Sequence, residues 1–388
     1  MADRPLNIAY LCDITPLNPN LYSGGNARMY QALQKHVGDV TILSNSWHLA
    51  EPLRRLMHAM PEAVNLRARW RLHLALGALI GRGVRAEVLR GDYDAVFCAY
   101  SIQSLAGVGQ IPGVVTAFAS DATQSVYRQS EVGQSFGSYL SVSRLLDGWV
   151  ERREKRILER LDLMLWPTEW MRDGATQLYG LNGDAMHVVP WGANIGDVAA
   201  PVAPAPLTRD APIELLFMGR DWFAKGGPLA RDVTMLLRAK GFDARLTVIG
   251  CTPPEDHVMD AMRIIPQLDK SKPEDMAQFE ALFCGSHFLI NPSFESFGFA
   301  YCEASAYGLP SLAFRVGGVP VRDGVNGHAL PLGSEASAFA GLVETYVEDP
   351  GRYAGLRKSA RTEYETRLNW DAWGQGVSKR IRAAIERP

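Results

Sequence analysis

Short apolar runs recur along this chain, each followed by a polar or glycine-bearing turn and then by residues at helical spacing. In the first half the runs LNIAYLCDI (6–14), VTILS (40–44), AVFCAY (95–100), VVTAFA (114–119), LMLWPT (163–168) and HVVPW (187–191) predict buried strands. Between them ARMYQALQKH and RLLDGWVERREKRILERL carry helical periodicity. A Pro/Ala stretch, AAPVAPAPLTRDAP (199–212), interrupts the pattern and reads as an extended, stiff linker. The alternation then restarts with IELLFMGR (213–220), a helix at PLARDVTMLLRAKG, ARLTVIG (244–250), HFLINPS (287–293) and PSLAF (310–314). A last helix, WDAWGQGVSKRIRAAIE, closes the chain. Strand–helix alternation of this kind predicts parallel sheets with helices on both faces. The expected organisation is a Rossmann-like α/β domain over 1–198 and the linker 199–212. A second such domain follows over 213–365, and a helix at 366–388 turns back towards the first. Open α/β sheets bind ligands beyond the carboxyl ends of their strands, so a cleft between two facing sheets is the expected site.

Composition narrows the picture. The 388 residues suffice for two domains with cores of their own, and 47% hydrophobic with 21% charged residues is ordinary for a globular protein. A formal net charge of −2 argues against bulk affinity for nucleic acid. Cys12, Cys98, Cys251, Cys284 and Cys302 are scattered without CxxC pairing, which fits a reducing compartment. Met1–Pro5 runs directly into an apolar strand, and no apolar run reaches the ~20 residues that span a bilayer. A cytoplasmic protein is expected.

Candidate chemistry collects where strands end. SGG (23–25) after the first strand lets the backbone approach a ligand, and Gly24 and Gly25 open a helix; a plain turn is the bland alternative. In GRDWFAKGG (219–227), Arg220 and Lys225 follow a buried strand and precede a helix N-terminus, a setting that suits a diphosphate, with solvated loop charges as the bland alternative. RVGGVP (315–320) repeats the strand–Gly-Gly arrangement. In NPSFESFGFAYCEASAYGLP (291–310), Glu295 and Glu303 flank a turn, with a helix predicted from Ser296 to Tyr307. Eight helical residues span ~12 Å, too far to share a proton or a metal, but suited to two separate hydroxyl-bearing parts of one ligand. Taken alone, the two acids read more simply as a first-turn glutamate and a solvated helical one.

Three features read as bland. Asp92-Tyr93-Asp94 precedes a strand and is expected to be a turn, not a metal site. GVGQIPG (107–113) also precedes a strand, which disqualifies it as a dinucleotide fingerprint. The eight histidines lack metal-ligand spacing. Residues 51–90 stay open: Arg54, Arg55, Arg67, Arg69, Arg71, Arg82, Arg85 and Arg90 alternate with apolar residues. They predict either a basic face for an anionic membrane or acceptor, or an ordinary solvated helix surface.

Together, strand–GR–x–KG, LTVIG, the E-x7-E segment and GLPSLAF–GG–DGVNG occur in the order seen in retaining GT-B glycosyltransferases of the large GT4 family, which the chain resembles over nearly its whole length. That resemblance implies a metal-independent hexosyltransferase without cofactor. It would use a UDP- or GDP-linked nucleotide sugar and a hydroxyl acceptor, a glycan or lipid-linked glycan in cell-envelope or polysaccharide biosynthesis. By the same resemblance Arg220 and Lys225 hold the diphosphate, and the backbone of Ser296, Phe297 and Gly298 caps it. Gly24 and Gly25 close over the donor, Glu295 meets the transferred sugar, and Glu303 meets the ribose. Many relatives carry a histidine where Ala119 stands here. Asp121, two residues on, either takes a catalytic place near the sugar or acceptor hydroxyl or caps the next helix. An epimerase or phosphorylase of the same fold, or a silent donor-binding partner subunit, is the alternative.

Overall fold

The computed structural model describes residues 4–18, 21–44, 47, 50–59, 62–135, 146–196, 198 and 204–387. In chain order the first elements are β1 (Leu6–Leu11), α1 (Gly25–His36), β2 (Gly38–Ile42), α2 (Glu51–His58), α3 (Glu62–Val88), β3 (Ala95–Ala99) and β4 (Val115–Ala119). They are followed by α4 (Gln124–Gln129), α5 (Glu131–Ser135), α6 (Asp147–Leu158), β5 (Leu163–Trp166), α7 (Glu169–Tyr179) and β6 (Met186–Val188). The second series is β7 (Ile213–Met218), α8 (Gly227–Ala239), β8 (Ala244–Ile249), β9 (Met262–Ile265), α9 (Pro273–Gly285), β10 (Phe288–Ile290) and α10 (Phe299–Ala306). It ends with β11 (Ser311–Phe314), β12 (Gly327–Leu330), α11 (Ala336–Glu348), α12 (Pro350–Thr366) and α13 (Trp370–Ile385).

These elements form two compact units, one of 1–191 with 370–388 and one of 192–369. The first holds a parallel sheet in the order β2-β1-β3-β4-β5-β6, the second a parallel sheet in the order β12-β11-β10-β7-β8-β9. In each sheet the order reverses beside its first strand, between β1 and β3 and between β7 and β10. Those reversals are the topological switch points of doubly wound sheets, where the loops after neighbouring strands part and leave a crevice.

Burial explains why the apolar runs became strands. β3, β4 and β5 are buried along their full length, which only a sheet covered on both faces permits. Ala9, Leu11, Val96, Cys98, Phe118, Met164 and Trp166 pack with Leu74, Ile80 and Val84 of α3. In the second unit Leu215, Phe217, Leu246, Val248, Phe288 and Ile290 pack with Val233, Phe339 and Val343. Each such side chain contributes ~1.5–3 kcal/mol when fully buried. Edge strands β9 and β12 carry weaker apolar patterns and lie outside the strands expected above.

α13 packs within the first unit: Asp371 accepts from Lys35 Nζ (2.9 Å) and pairs with His36 Nε2 (2.7 Å), and Trp373 meets Phe97 edge to face. Of the Pro/Ala stretch, residues 199–203 lie outside the described residues. Leu207 is buried in the second unit's core, and the Ala205 carbonyl accepts from His287 Nε2 at 2.9 Å.

The bland features have structural uses. Asp94 accepts from Asn7 N at 2.8 Å and pairs with Arg4, so it pins the entry to β1 and β3. Burial opposes its charge, yet the Arg4 hydrogen bond and the Asn7 amide hold its carboxyl below the ordinary range. Gly107 of GVGQIPG is a packing glycine: a Cβ there would lie 2.2 Å from the carbonyl oxygen of Ala78 on α3. Arg85 Nη1 donates to the carbonyls of Val108 (2.7 Å) and Gln110 (2.8 Å), so one of the expected basic-face arginines is spent internally. Arg54 pairs with Glu51, while Leu53, Leu56, Arg82 and Arg90 are exposed. The side chains of Arg67 and Arg69 lie outside the described residues.

Glu154 of α6 is fully buried and accepts from Gln124 N (2.9 Å), Ser125 N (3.2 Å) and the Tyr179 hydroxyl (2.8 Å), tying α6 to α4 and α7. Burial pushes its carboxyl above the ordinary glutamate range, against those donors. A carboxyl raised in the folded state contributes stability that is fully present below its unfolded pKa and is lost as pH rises through the folded value. The advantage of the wild type over Glu154→Gln is therefore expected to be largest near about pH 4 and to shrink towards neutrality. Glu154→Ala should lose roughly 1–3 kcal/mol through orphaned buried donors. Chemical denaturation across pH checks both, and a pH-independent difference for Glu154→Gln would contradict the burial argument.

Candidate active site at a strand switch point

In the second unit the loops after β7 and β10 meet across the switch point. The Asn291 side chain bridges the two strand ends: Oδ1 accepts from Met218 N (3.0 Å) and Nδ2 donates to Met218 O (2.6 Å). The Gly-Gly pair of GRDWFAKGG makes the close approach possible. Gly226 has φ +80, and a Cβ there would sit 2.5 Å from the Pro292 carbonyl oxygen; one on Gly227 would strike the Trp222 ring at 2.2 Å. Lys225 folds its stem over Gly219, where a Cβ would come within 2.5 Å of Lys225 Cγ. Its ammonium donates to Glu295 Oε1 in a partly buried ion pair.

Glu295 is held from three sides. Ser293 Oγ donates to Oε1 at 2.8 Å, the Glu295 carbonyl accepts from Gly318 N at 2.7 Å, and Lys225 supplies the charge. The Gly318 contact brings the RVGGVP loop to the same place. The Tyr301 hydroxyl donates to the Asn291 carbonyl and lies 3.3 Å from Ser293 Oγ. Burial and, after it, the Glu295 charge push the Tyr301 phenol far above its usual range, so it stays a neutral donor. Arg220 projects into solvent on the same loop, with no hydrogen bond or ion pair among the described residues.

The helix expected from Ser296 to Tyr307 is shorter: α10 begins at Phe299, with Gly298 as its N-cap in extended backbone (φ −100, ψ 94). The ring of Tyr301 fills the space a Cβ on Gly298 would need, at 2.3 Å. Ser296, Phe297 and Gly298 thus form the turn leading into the helix, and the helical ruler does not span the two glutamates. Glu303 lies on α10, 2% exposed, with Lys270 Nζ 2.5 Å from Oε1.

In the first unit Gly24 has φ 84 and is the N-cap of α1, which starts at Gly25. The preceding Ser23 is also left-handed at φ 51. Asn26 ties this turn down, donating to the Ile14 carbonyl at 2.9 Å and accepting from Tyr10 OH at 2.6 Å. Asp121 is partly buried just beyond β4 and Ala119. It is not the cap of α4: Thr123 is, with Oγ1 accepting from Val126 N at 3.3 Å.

Asn291, Ser293 and Tyr301 of the 291–310 segment and Gly318 of RVGGVP were not singled out as site residues, while Lys270 lies in IIPQLDKSK (264–272), the segment where the family resemblance implies contact with the nucleotide base. Polar Asn and Ser directly after an apolar strand were the available signal for two of them. A groove of about 640 Å³ in this unit lies at the opposite strand edge, lined by Glu214, Arg245, Asp260 and Met262. It is not where open sheets bind ligands, and its Arg245 is occupied by Asp243 and Glu214. Among the described residues no group of three His, Cys, Asp or Glu side chains is placed to hold a metal, and no helix is long and apolar enough to cross a membrane. None of the five cysteines forms a disulfide.

Two doubly wound six-stranded sheets of these orders define the GT-B fold of glycosyltransferases. Sucrose-phosphate synthase from Thermosynechococcus elongatus aligns with TM-score 0.64 at 17% identity, over 98% of this chain and 99% of that one. HepE of Anabaena in complex with UDP and glucose aligns with TM-score 0.60 at 14% identity, over 97% and 100%. The family model described as Glycosyl transferases group 1 matches residues 212–349, and that of Glycosyltransferase Family 4 matches 26–196. The chain belongs to this group 1, or GT4, family. Curated relatives include the D-inositol 3-phosphate glycosyltransferases of Xylanimonas cellulosilytica (27% identical, 56% of each chain) and Nocardia farcinica (30% identical, 60% of this chain and 55% of that one). The chain thus spans little more than half the length of these relatives.

Proposed function

We propose that the protein is a retaining glycosyltransferase that moves a hexose from a nucleoside-diphosphate donor to a hydroxyl acceptor without a metal ion. The observation that carries this reading is the pairing of Lys225 with Glu295 across the β7/β10 switch point, 70 positions apart in sequence. A cation and an acceptor-only carboxylate side by side suit the junction between a diphosphate and a sugar. The lysine and the exposed Arg220 offset negative charge that builds on the leaving diphosphate, and Glu295 holds sugar hydroxyls as oxocarbenium character develops. Glu303 holds the ribose, and the turn at Ser296, Phe297 and Gly298 faces the phosphates. Gly24 and Gly25 close over the donor. The departing phosphate oxygen takes the acceptor's proton on the face it leaves, so configuration is retained and no separate base is demanded. Asp121 orients a sugar or acceptor hydroxyl in place of the histidine replaced by Ala119.

UDP-linked donors are favoured by the likeness to HepE, whose structure contains UDP and glucose. A glycan or lipid-linked acceptor of cell-envelope biosynthesis remains the leading reading, with the inositol phosphate named in the relatives as the competing one. Peripheral contact with a membrane through 51–90 belongs to the first acceptor class, since it needs an exposed apolar and basic face such as Leu53, Leu56 and Arg55 present.

The test is release of nucleoside diphosphate from UDP- and GDP-sugars, with lipid extract or inositol phosphate as acceptor. Product NMR reads the anomeric configuration. Release that depends on acceptor and survives EDTA is expected. Failure with every donor, or conversion of the donor without transfer, would favour a silent binding subunit or an epimerase. Activity abolished by EDTA and restored by Mg²⁺ or Mn²⁺ would refute the metal-free clamp.

A further inference from the structure

We propose that Lys270 is a positioning residue for nucleotide recognition: it keeps Glu303 ionised and aimed, so that the ribose is read by a lysine-oriented carboxylate. The inference rests on the reading of Glu303 as the ribose-binding group.

Glu303 sits among Tyr301, Cys302, Ala304 and Ser305, all buried with it on α10. A carboxylate in such surroundings is expensive unless paired and hydrogen-bonded. Its cation arrives from elsewhere in the chain, since Lys270 lies on the loop between β9 and α9, with Nζ 2.5 Å from Glu303 Oε1. That loop is built, not merely tethered. Asp269 Oδ1 accepts from Ser271 N (3.0 Å) and Ser271 Oγ (2.6 Å), and Asp269 N donates to Asp275 Oδ2 (2.9 Å). Below the ammonium the Phe279 ring lies 4.6 Å away, a cation–π contact that fixes the lysine from its other side.

Stability alone is a poor reason for this arrangement. Buried ion pairs can often be replaced by apolar residues of like volume with no loss. Recognition is a better one. The loop follows β9 and α10 follows β10, so both partners lie at the carboxyl edge of the sheet, with Lys225 and Glu295. A charged carboxylate accepts only, and when its direction is fixed it selects a ligand presenting hydroxyl donors, such as a vicinal diol. Without the lysine, Glu303 would lose the cation that fixes Oε1, and its acceptor geometry towards a diol would loosen.

The experiment is calorimetric titration with UDP and GDP and with the 2′,3′-dideoxy analogue of whichever binds. Wild type should prefer the ribonucleotide. Lys270→Met should weaken the ribonucleotide about tenfold or more while leaving the dideoxy analogue nearly unchanged. Lys270→Arg should keep most of the preference. The Lys270→Met, Glu303→Gln double variant should be no worse than Glu303→Gln alone. Lys270→Gln, which keeps a polar stem, carries the same expectation should Lys270→Met fold poorly. Equal weakening of both nucleotides would make Lys270 a direct base or phosphate contact and overturn the inference, as would no weakening of either. Failure of wild type to bind any nucleotide would overturn the donor-site reading and this inference with it.

Discussion

Lys225→Ala is expected to lower turnover by about 10²–10³-fold, the usual loss when one preorganised charge-stabilising donor is removed from a reacting centre. Two geometric facts support so large an effect. The lysine stem is pressed over Gly219, which confines the ammonium to a small volume at the end of β7. The ammonium is also the charge partner of Glu295, so its removal leaves a partly buried carboxylate facing the place where negative charge must develop. Both losses fall on the transition state more than on the fold. The pair is mostly buried, with side chains 27% and 17% exposed, so removing one partner also costs stability. A lowered melting temperature should therefore accompany the kinetic loss, and turnover is compared at a temperature where both proteins are fully folded. Steady-state kinetics with saturating donor, beside a thermal melt, gives the comparison; unchanged turnover would mean that the Lys225–Glu295 pair serves only to hold two loops together.

The second large effect separates the two glutamates. Glu303→Gln should weaken binding of the donor and of the bare nucleoside diphosphate alike, because both contain ribose, by at least about tenfold. Glu295→Gln should leave nucleoside diphosphate affinity unchanged or slightly improved. That ligand has no sugar to contact, and loss of the carboxylate charge releases Lys225 for the phosphates. The damage at Glu295 should instead appear in turnover, through hydroxyl contacts that strengthen as the transition state forms. Calorimetry with the nucleoside diphosphate on both variants decides. Equal affinities, or a larger loss for Glu295→Gln, would exchange or remove the two assignments.

Most of the scaffold is legible in the sequence. The runs at 6–14, 95–100 and 213–220 read as strands because short, mostly apolar stretches bounded by turn residues mark strands covered on both faces. The Gly-Gly turns stood out because a chain that must approach another backbone closely has few other residues to use. Edge strands β9 and β12 are harder to read for the converse reason: no residue of β9 and only two of the four in β12 are buried, so neither has a continuous apolar run to mark it. The start of α10 was misplaced because helix periodicity cannot register that Tyr301 folds back over Gly298 to support the Asn291 carbonyl. That Asp121 is not the cap of α4 is likewise invisible locally, because Asp121 and Thr123 are both good capping residues and only the backbone path gives the place to Thr123.

The sequence by itself determined the class of sheet, the repetition of the design and the residue types gathered at strand ends, because periodicity and local backbone chemistry are written in neighbouring residues. Tertiary structure alone decided which charges face each other. Lys225 meets Glu295 across 70 positions, and Lys270 meets Glu303 across 33, because sheet order places β7 beside β10 and folds the β9–α9 loop over α10. Partnership of that kind depends on strand order and loop path, and no local pattern of residues encodes it.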